Sequence, residues 1–316
     1  MLVTLKECEE ILRCPRSGDR LVSAERDGLR TEHSESEEDV VYPVVAGTPI
    51  LIDFSDSVLD RKALLERAGT SALHRPRYGR VAGLIKRLLS PAKKTTRENV
   101  EALIRELSSL PGKSRVLVVG GGSIGQGMER LYQDPGLEVV GFDIYGSPNV
   151  QFIADAHHIP LASNSFDAVV VQAVLEHVLV PARVVAEIWR VLKPDGIVYA
   201  ETPFMQQVHE GPYDFSRFTE SGHRYLFRNF EVIRSGASGG PGLQFMWAAD
   251  YLARSLFRSR TAGKLAKLAF FWTQYLDAAI PARYAIDGAS GVYFLGRKSQ
   301  VPFPPAAMAS YYQGAQ

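Results

Sequence analysis

The chain has 316 residues, with Lys+Arg 36 against Asp+Glu 35. That length can bury one full domain core and carry smaller additions, and near-neutral charge argues against a protein built for bulk electrostatic binding of nucleic acid. The only two cysteines, Cys8 and Cys14, leave no disulfide framework and fit a reducing, cytoplasmic setting. The opening stretch MLVTLKECEEILR carries charges where a signal peptide needs an apolar run, and the longest apolar passages fall short of the roughly 20 residues of a spanning helix.

In chain order, residues 1–54 read as short strands and turns, with CPRSGDRL near the start and YPVVAGTPILID at the end. Residues 55–113 carry mixed charge and spaced Leu and Ile (LLERAG, LIKRLL, NVEALIRELSSL), which predicts a helical connector with linkers such as HRPRYGR. From residue 114 strands alternate with amphipathic helices: RVLVVG, a helix to Tyr132, LEVVGFD, FDAVVVQ, a helix over Pro181 to Leu192, and GIVYAETP. Such alternation predicts an α/β, doubly wound, mostly parallel sheet with right-handed crossovers. FEVIRSG and GVYFLGRK are expected to close the sheet as a terminal pair, giving a domain over 114–298 with a helical insertion at about 242–286. Residues 299–316 read as a flexible tail, and no internal repeat is present.

Gly120, Gly122 and Gly125 satisfy G-x-G-x-x-G after the first strand of this domain. In a dinucleotide enzyme this turn brings a pyrophosphate to backbone N–H groups at a helix N-terminus. Asp143 ends the next strand, where a carboxylate can accept both hydroxyls of a ribose. Neither feature separates an NAD(P)-dependent oxidoreductase from other nucleoside binders. The motifs further along the chain do: Asp155-Ala156 after the third strand, then IPLASNSFDAVV, LEHV at 175–178, and AEIWRVLKPDGIVYAETP.

With these motifs the segment from about Arg115 to Lys298 resembles the class I S-adenosylmethionine-dependent methyltransferases, in the methyltransferase type 11 group. The resemblance implies a seven-stranded Rossmann-like sheet and S-adenosyl-L-methionine as cofactor. By the same likeness Gly120 and Gly122, with Gly125 in the turn, line the methionine part, and Asp143 binds the ribose hydroxyls. Asp155 then accepts from the adenine amino group, Ala156 offers its backbone N–H, and Gln172 faces the cofactor methionine. One departure stands out. Val118 takes the place, two residues before the first glycine, where the family usually has an acid.

The loop after the fifth strand, QQVHEGPYDFSRFTESGHRYLF, is expected to face the acceptor, through His209, Tyr213, Asp214, Arg217 and Thr219. It looks like a lid fixed by an Asp214–Arg217 pair, as in a subset of the family associated with sugar and glycan biosynthesis; a purely structural pin reads equally well. For a hydroxyl acceptor a base is needed, His209 first and His177 second, although Glu176 and His177 read as readily as caps of the next helix. The expected reaction is methylation, at oxygen, of a small-molecule, sugar, or lipid- or glycan-linked acceptor. A non-catalytic module that keeps the fold as an interaction platform stays open as an alternative.

Residues 1–54 resemble the Trm112-like zinc-ribbon family, but Cys14 and Ser17 stand at its first cysteine pair, and Glu35 and Glu38 near its second. A structural zinc site needs four N or S ligands, so the ribbon is expected to be metal-free, with His33 on its surface and Leu21, Val44, Ile50 and Leu51 inside. The insertion carries large apolar residues at helical spacing beside Arg254, Arg258, Arg260, Lys264 and Lys267. These helices suit packing on the sheet, a dimer face, or peripheral contact with an anionic membrane; nothing in the sequence sets an oligomeric state.

Overall fold

The computed structural model describes residues 1–24, 28–32, 41–67, 70 and 94–316. His33, Glu35, Glu38 and the HRPRYGR linker lie outside the described residues.

One sheet organises the chain. Its strands are β1 (Leu21–Ala24), β2 (Gly28–Thr31), β3 (Tyr42–Val45), β4 (Thr48–Leu51), β5 (Ser114–Val119), β6 (Leu137–Asp143), β7 (Phe152–Ala154), β8 (Phe166–Gln172), β9 (Leu192–Pro203), β10 (Phe230–Gly239) and β11 (Gly291–Lys298). Their spatial order is β1-β2-β3-β4-β7-β6-β5-β8-β9-β11-β10. The expectation of seven strands is therefore corrected: among the described residues the sheet has 11. The reason is local, since β4 runs parallel to β7 with Ile50 opposite Ile153 and Leu51 opposite Ala154. Through that edge the antiparallel β1–β4 meander continues the central sheet. From β4 to β9 the pairings are parallel, and β11 inserts antiparallel between β9 and β10, the terminal pair expected from the sequence.

The central strands are apolar throughout because both faces are covered. Along β5, Leu117 and Val119 point into one core with Val184, Ile188 and Val191 of the helix Pro181–Val191. Val116 and Val118 point into the other with Val100, Leu103, Ile104 and Leu107 of the helix Lys94–Ser108. That second helix, read from sequence as connector, is thus a layer of the domain. Val118 is a buried core residue, which is why an apolar side chain is stable where the family usually has an acid.

In the amino-terminal unit Leu21, Leu29, Tyr42 and both cysteines are buried in the first of these cores. The Cys14 thiol lies 3.1 Å from the Tyr42 hydroxyl and accepts from the Ser17 N–H at 3.4 Å. Residues 299–316 are held more firmly than the flexible tail expected. They form short turns of helix at Pro305–Ala307 and Met308–Tyr311; Tyr311 donates to Glu220 at 2.5 Å and Arg224 covers the Phe303 ring. The insertion forms helices Pro241–Leu256 and Arg260–Ala269, a 3-10 stretch Phe271–Ala279, and Ala282–Ala285. Its apolar stripe is not spent on the sheet: Leu252, Leu256, Phe257, Leu265 and Trp272 are exposed. Among the described residues no helix is long and apolar enough to cross a membrane.

Candidate functional site

Parallel strands deliver their following loops to one edge, and there the motif residues meet. β5 ends at Val119 and opens the glycine turn, β6 ends on Asp143, β7 leads into Asp155, β8 ends on Gln172, and β9 leads into the loop that carries His209. A cavity of about 470 Å³ lies over this edge, lined by Gly120, Gly125, Asp143, Asp155, Ala156 and Gln172, and further on by His177, His209 and Tyr213.

Gly120 has φ +75, a conformation that costs a side chain, and a Cβ there would come 2.3 Å from Val174 Cγ2. The turn is tied to Asp143: the Gly122 N–H donates to Asp143 Oδ2 at 2.8 Å and the Ile144 N–H to Oδ1 at 2.7 Å. No long helix comes after the glycines. The next one, Glu129–Gln133, begins after Gly125 and is one turn long. The helix N-terminus that would hold a pyrophosphate is missing, while Asp143 stands at the end of its strand, tied to the glycine turn.

Asp155 is more enclosed than its motif implies. Its Oδ1 accepts from the His157 N–H at 2.9 Å and lies 2.6 Å from His157 Nδ1, while Ser57 donates to Oδ2 at 2.5 Å. Burial works to raise this carboxyl, but the bonds from His157 and Ser57 outweigh it and hold it below the usual carboxylate range. His157 Nε2 accepts from Val180 N–H at 3.1 Å, which fixes the proton on Nδ1 toward Asp155. Gln172 donates to Glu201 at 3.1 Å; Thr96 and Tyr199 also donate to that buried carboxylate.

The lid residues divide by role. Arg217 clasps Asp214 with both terminal nitrogens and donates from Nε to the Gln206 carbonyl. The guanidinium holds the Asp214 carboxyl down at about 2. These two pin the loop and do not line the cavity. Thr219 is not brought to the cavity either: it caps the helix Glu220–Leu226, accepting from the Gly222 N–H at 3.0 Å. His209, Tyr213 and His177 do reach it. The two imidazoles stand 4.9 Å apart, edge to face, and burial together with His177 lowers the His209 pKa. Glu176, which is fully buried, lies within 4 Å of both.

Two pieces of the site escaped the sequence. Val58, Leu59, Ala63 and Leu64, around the helix Arg61–Glu66, form a wall of the cavity. Only its spaced leucines were visible in the sequence, and these say helix without saying against what. His157 was the other, an unremarkable loop histidine until the fold set it against Asp155.

Residues 117–200 match the family model described as a methyltransferase domain. Two demethylmenaquinone methyltransferases are similar over part of the chain. That of Renibacterium salmoninarum is 35% identical over 172 residues, 51% of this chain and 66% of its own length. That of Paenarthrobacter aurescens is 35% identical over 136 residues, 40% of this chain and 49% of its own. Over this segment the chain is similar to methyltransferases. The chain thus spans between about half and two thirds of these curated relatives. Among solved structures, Haemonchus contortus phosphoethanolamine N-methyltransferase 2 in complex with S-adenosyl-L-methionine overlays with TM-score 0.45 at 15% identity, covering 83% of this chain and 62% of that one.

Proposed function

We propose that the chain transfers a methyl group from S-adenosylmethionine to an oxygen of a small-molecule acceptor. The observation that supports this best is the division of one cavity into two ends. Gly120, Asp143 and Asp155 line one, and His177, His209 and Tyr213 the other. The first end fits the cofactor: Asp143 for the ribose hydroxyls, Asp155 for the adenine amino group with Ala156 beside it, and the turn at Gly120, Gly122 and Gly125 with Gln172 for the methionine. When bound, the cofactor supplies a methyl group on a positively charged sulfur, which leaves as a neutral thioether.

The chain's own work is alignment and proton handling. Asp214 and Arg217 hold the loop so that His209 and Tyr213 overlie the acceptor. As the new C–O bond forms, the acceptor's O–H proton passes to the His209–His177 pair, with His209 nearest the rim. The relatives named for demethylmenaquinone support a small-molecule acceptor, and the amino-terminal unit, in which Cys14 lies against Tyr42, serves to carry Ser57 and the wall at Val58–Leu64 to the cavity.

The test is to incubate extract fractions with methyl-labelled cofactor and the full chain, then identify what is labelled. Transfer to an oxygen that is lost in His209→Ala supports the reading; label on carbon or nitrogen, or full turnover in His209→Ala on an identified hydroxyl acceptor, contradicts it. The exposed apolar side chains at Leu252, Leu256 and Trp272, beside Arg254 and Lys264, favour an acceptor with a lipid or lipid-linked glycan part. Co-sedimentation with vesicles rich in anionic lipid is expected; absence from the pellet removes that refinement.

A further inference from the structure

Glu176, His177 and His209 bring one ligand atom each to within 4.8 Å of one another. Glu176 Oε1 lies 3.6 Å from His177 Nε2 and 3.9 Å from His209 Nε2. An ion held at about 2.0–2.2 Å by N and O ligands in tetrahedral geometry separates those ligands by roughly 3.4 Å. The two Glu176 distances exceed that separation by only a few tenths of an ångström.

The partners of the other ring nitrogens decide which way the lone pairs point. His177 Nδ1 is 2.6 Å from the Tyr213 carbonyl, an acceptor only, so the proton sits on Nδ1 and Nε2 is left as a lone pair. His209 Nδ1 lies 3.3 Å from Asp214 Oδ2, which also accepts the His209 backbone N–H at 3.0 Å. Asp214 is itself clasped by Arg217. A carbonyl behind one imidazole and a carboxylate behind the other is the outer shell that orients metal-binding histidines. Both Nε2 lone pairs then converge on the Glu176 carboxylate. The two ring centres are 4.9 Å apart, and a divalent ion among the three groups would be met by two neutral imidazoles and one carboxylate.

The position also fits. His177 and His209 line the main cavity at its acceptor end. Glu176 and His209 line a second cavity of about 280 Å³ with Gln206 and Glu201, so the cluster sits where the two meet. Glu176 is buried, and the His209 side chain is 27% exposed, which leaves the open side of the cluster toward the cavity. Two His and one Glu with an open position is a ligand set of catalytic zinc sites.

We propose that Glu176, His177 and His209 bind a divalent first-row metal ion, of the zinc class, and that the acceptor coordinates it through oxygen. This rests on the proposed methyl transfer and, where the ion is bound, replaces the proton-accepting role of the histidine pair: both imidazoles are then ligands, and the coordinated hydroxyl, made more acidic by the ion, gives its proton to solvent before its oxygen takes the methyl group. It selects acceptors with two adjacent oxygens, such as a hydroxyl next to another hydroxyl or to a carbonyl, which chelate.

The experiment is to strip the full chain with chelator, titrate it with Co2+ followed by absorption, and titrate Zn2+ in competition. In parallel, binding of S-adenosylhomocysteine is measured by calorimetry. The expected result is one Co2+ per chain with visible bands of low coordination number, displaced by Zn2+. Affinity should fall at least a hundredfold in His209→Ala and Glu176→Gln and about 10–100-fold in Asp214→Asn, an outer-shell change, while S-adenosylhomocysteine still binds these variants. Wild-type chain that binds S-adenosylhomocysteine but takes up no stoichiometric ion overturns the metal site and leaves the methyltransferase reading standing. Ion uptake unchanged in both His209→Ala and Glu176→Gln overturns it too, while ion uptake without S-adenosylhomocysteine binding sinks the parent reading instead.

Discussion

The two ends of the cavity are built by different means. At the cofactor end, Gly120, Asp143 and Asp155 each lie at or just after the end of a parallel strand, so sheet register places their backbone. At the acceptor end, Glu176 and His177 come from a 3-10 turn after β8, and His209 from a loop after β9 whose shape depends on the Asp214–Arg217 clasp. Position at one end is set by backbone; at the other it is set by side chains holding side chains. Changes at the first end should therefore act on binding, and at the second on turnover.

The sharpest way to break that contrast is His209→Ala. Loss of the group that handles the acceptor proton is expected to lower turnover about 10²–10⁴-fold, with S-adenosylhomocysteine affinity unchanged; equal loss in both would show that the ends are not separable. Asp143→Ala is the mirror case. Removing charge-assisted bonds to two ribose hydroxyls, each about 1.5–3 kcal/mol, should weaken S-adenosylhomocysteine at least about a hundredfold by calorimetry. Because Asp143 also accepts from Gly122 and Ile144, a loss of thermal stability should accompany it.

Gly125→Ala sharpens the contrast at a single carbon. Its Cβ would come 1.9 Å from Gln172 Oε1, the far end of a flexible side chain. Gln172 should swing away and lose its bond to Glu201, costing about 1 kcal/mol in denaturant unfolding and several-fold in cofactor affinity.

The smallest expected effect lies outside both ends. His223 is buried among Phe218, Phe227 and Phe294, and burial pushes its imidazole down to about 3. A histidine with a lowered folded pKa destabilises the fold as pH drops below its unfolded value near 6.5, continuing toward about 3. Relative to His223→Leu, wild-type stability should fall by up to about 2 kcal/mol between pH 6.5 and pH 5. Parallel pH profiles of the two proteins would contradict this.

The same contrast explains what the sequence made legible. Strand-terminal residues such as Asp143 were readable because alternation and spacing fix where a strand ends. The 11-stranded sheet was not, because nothing in YPVVAGTPILID says that β4 will pair with β7. Thr219 was misplaced for a related reason: T-E-S-G is also an ordinary helix start, and capping won. Asp155 was found, but its enclosure by His157 and Ser57 was not, since the Ser57 contact joins segments far apart in the chain and the His157 contact depends on how the loop folds back. Glu176 was read as a cap because its neighbours in space, His209 above all, come from another loop.

The central claim is that this sheet edge holds S-adenosylmethionine, and calorimetric titration of the purified full chain with S-adenosylhomocysteine tests it most directly. The account predicts saturable binding of one equivalent, with no heat from NAD(P). No heat from S-adenosylhomocysteine, or saturable binding of NAD(P) in its place, would contradict it.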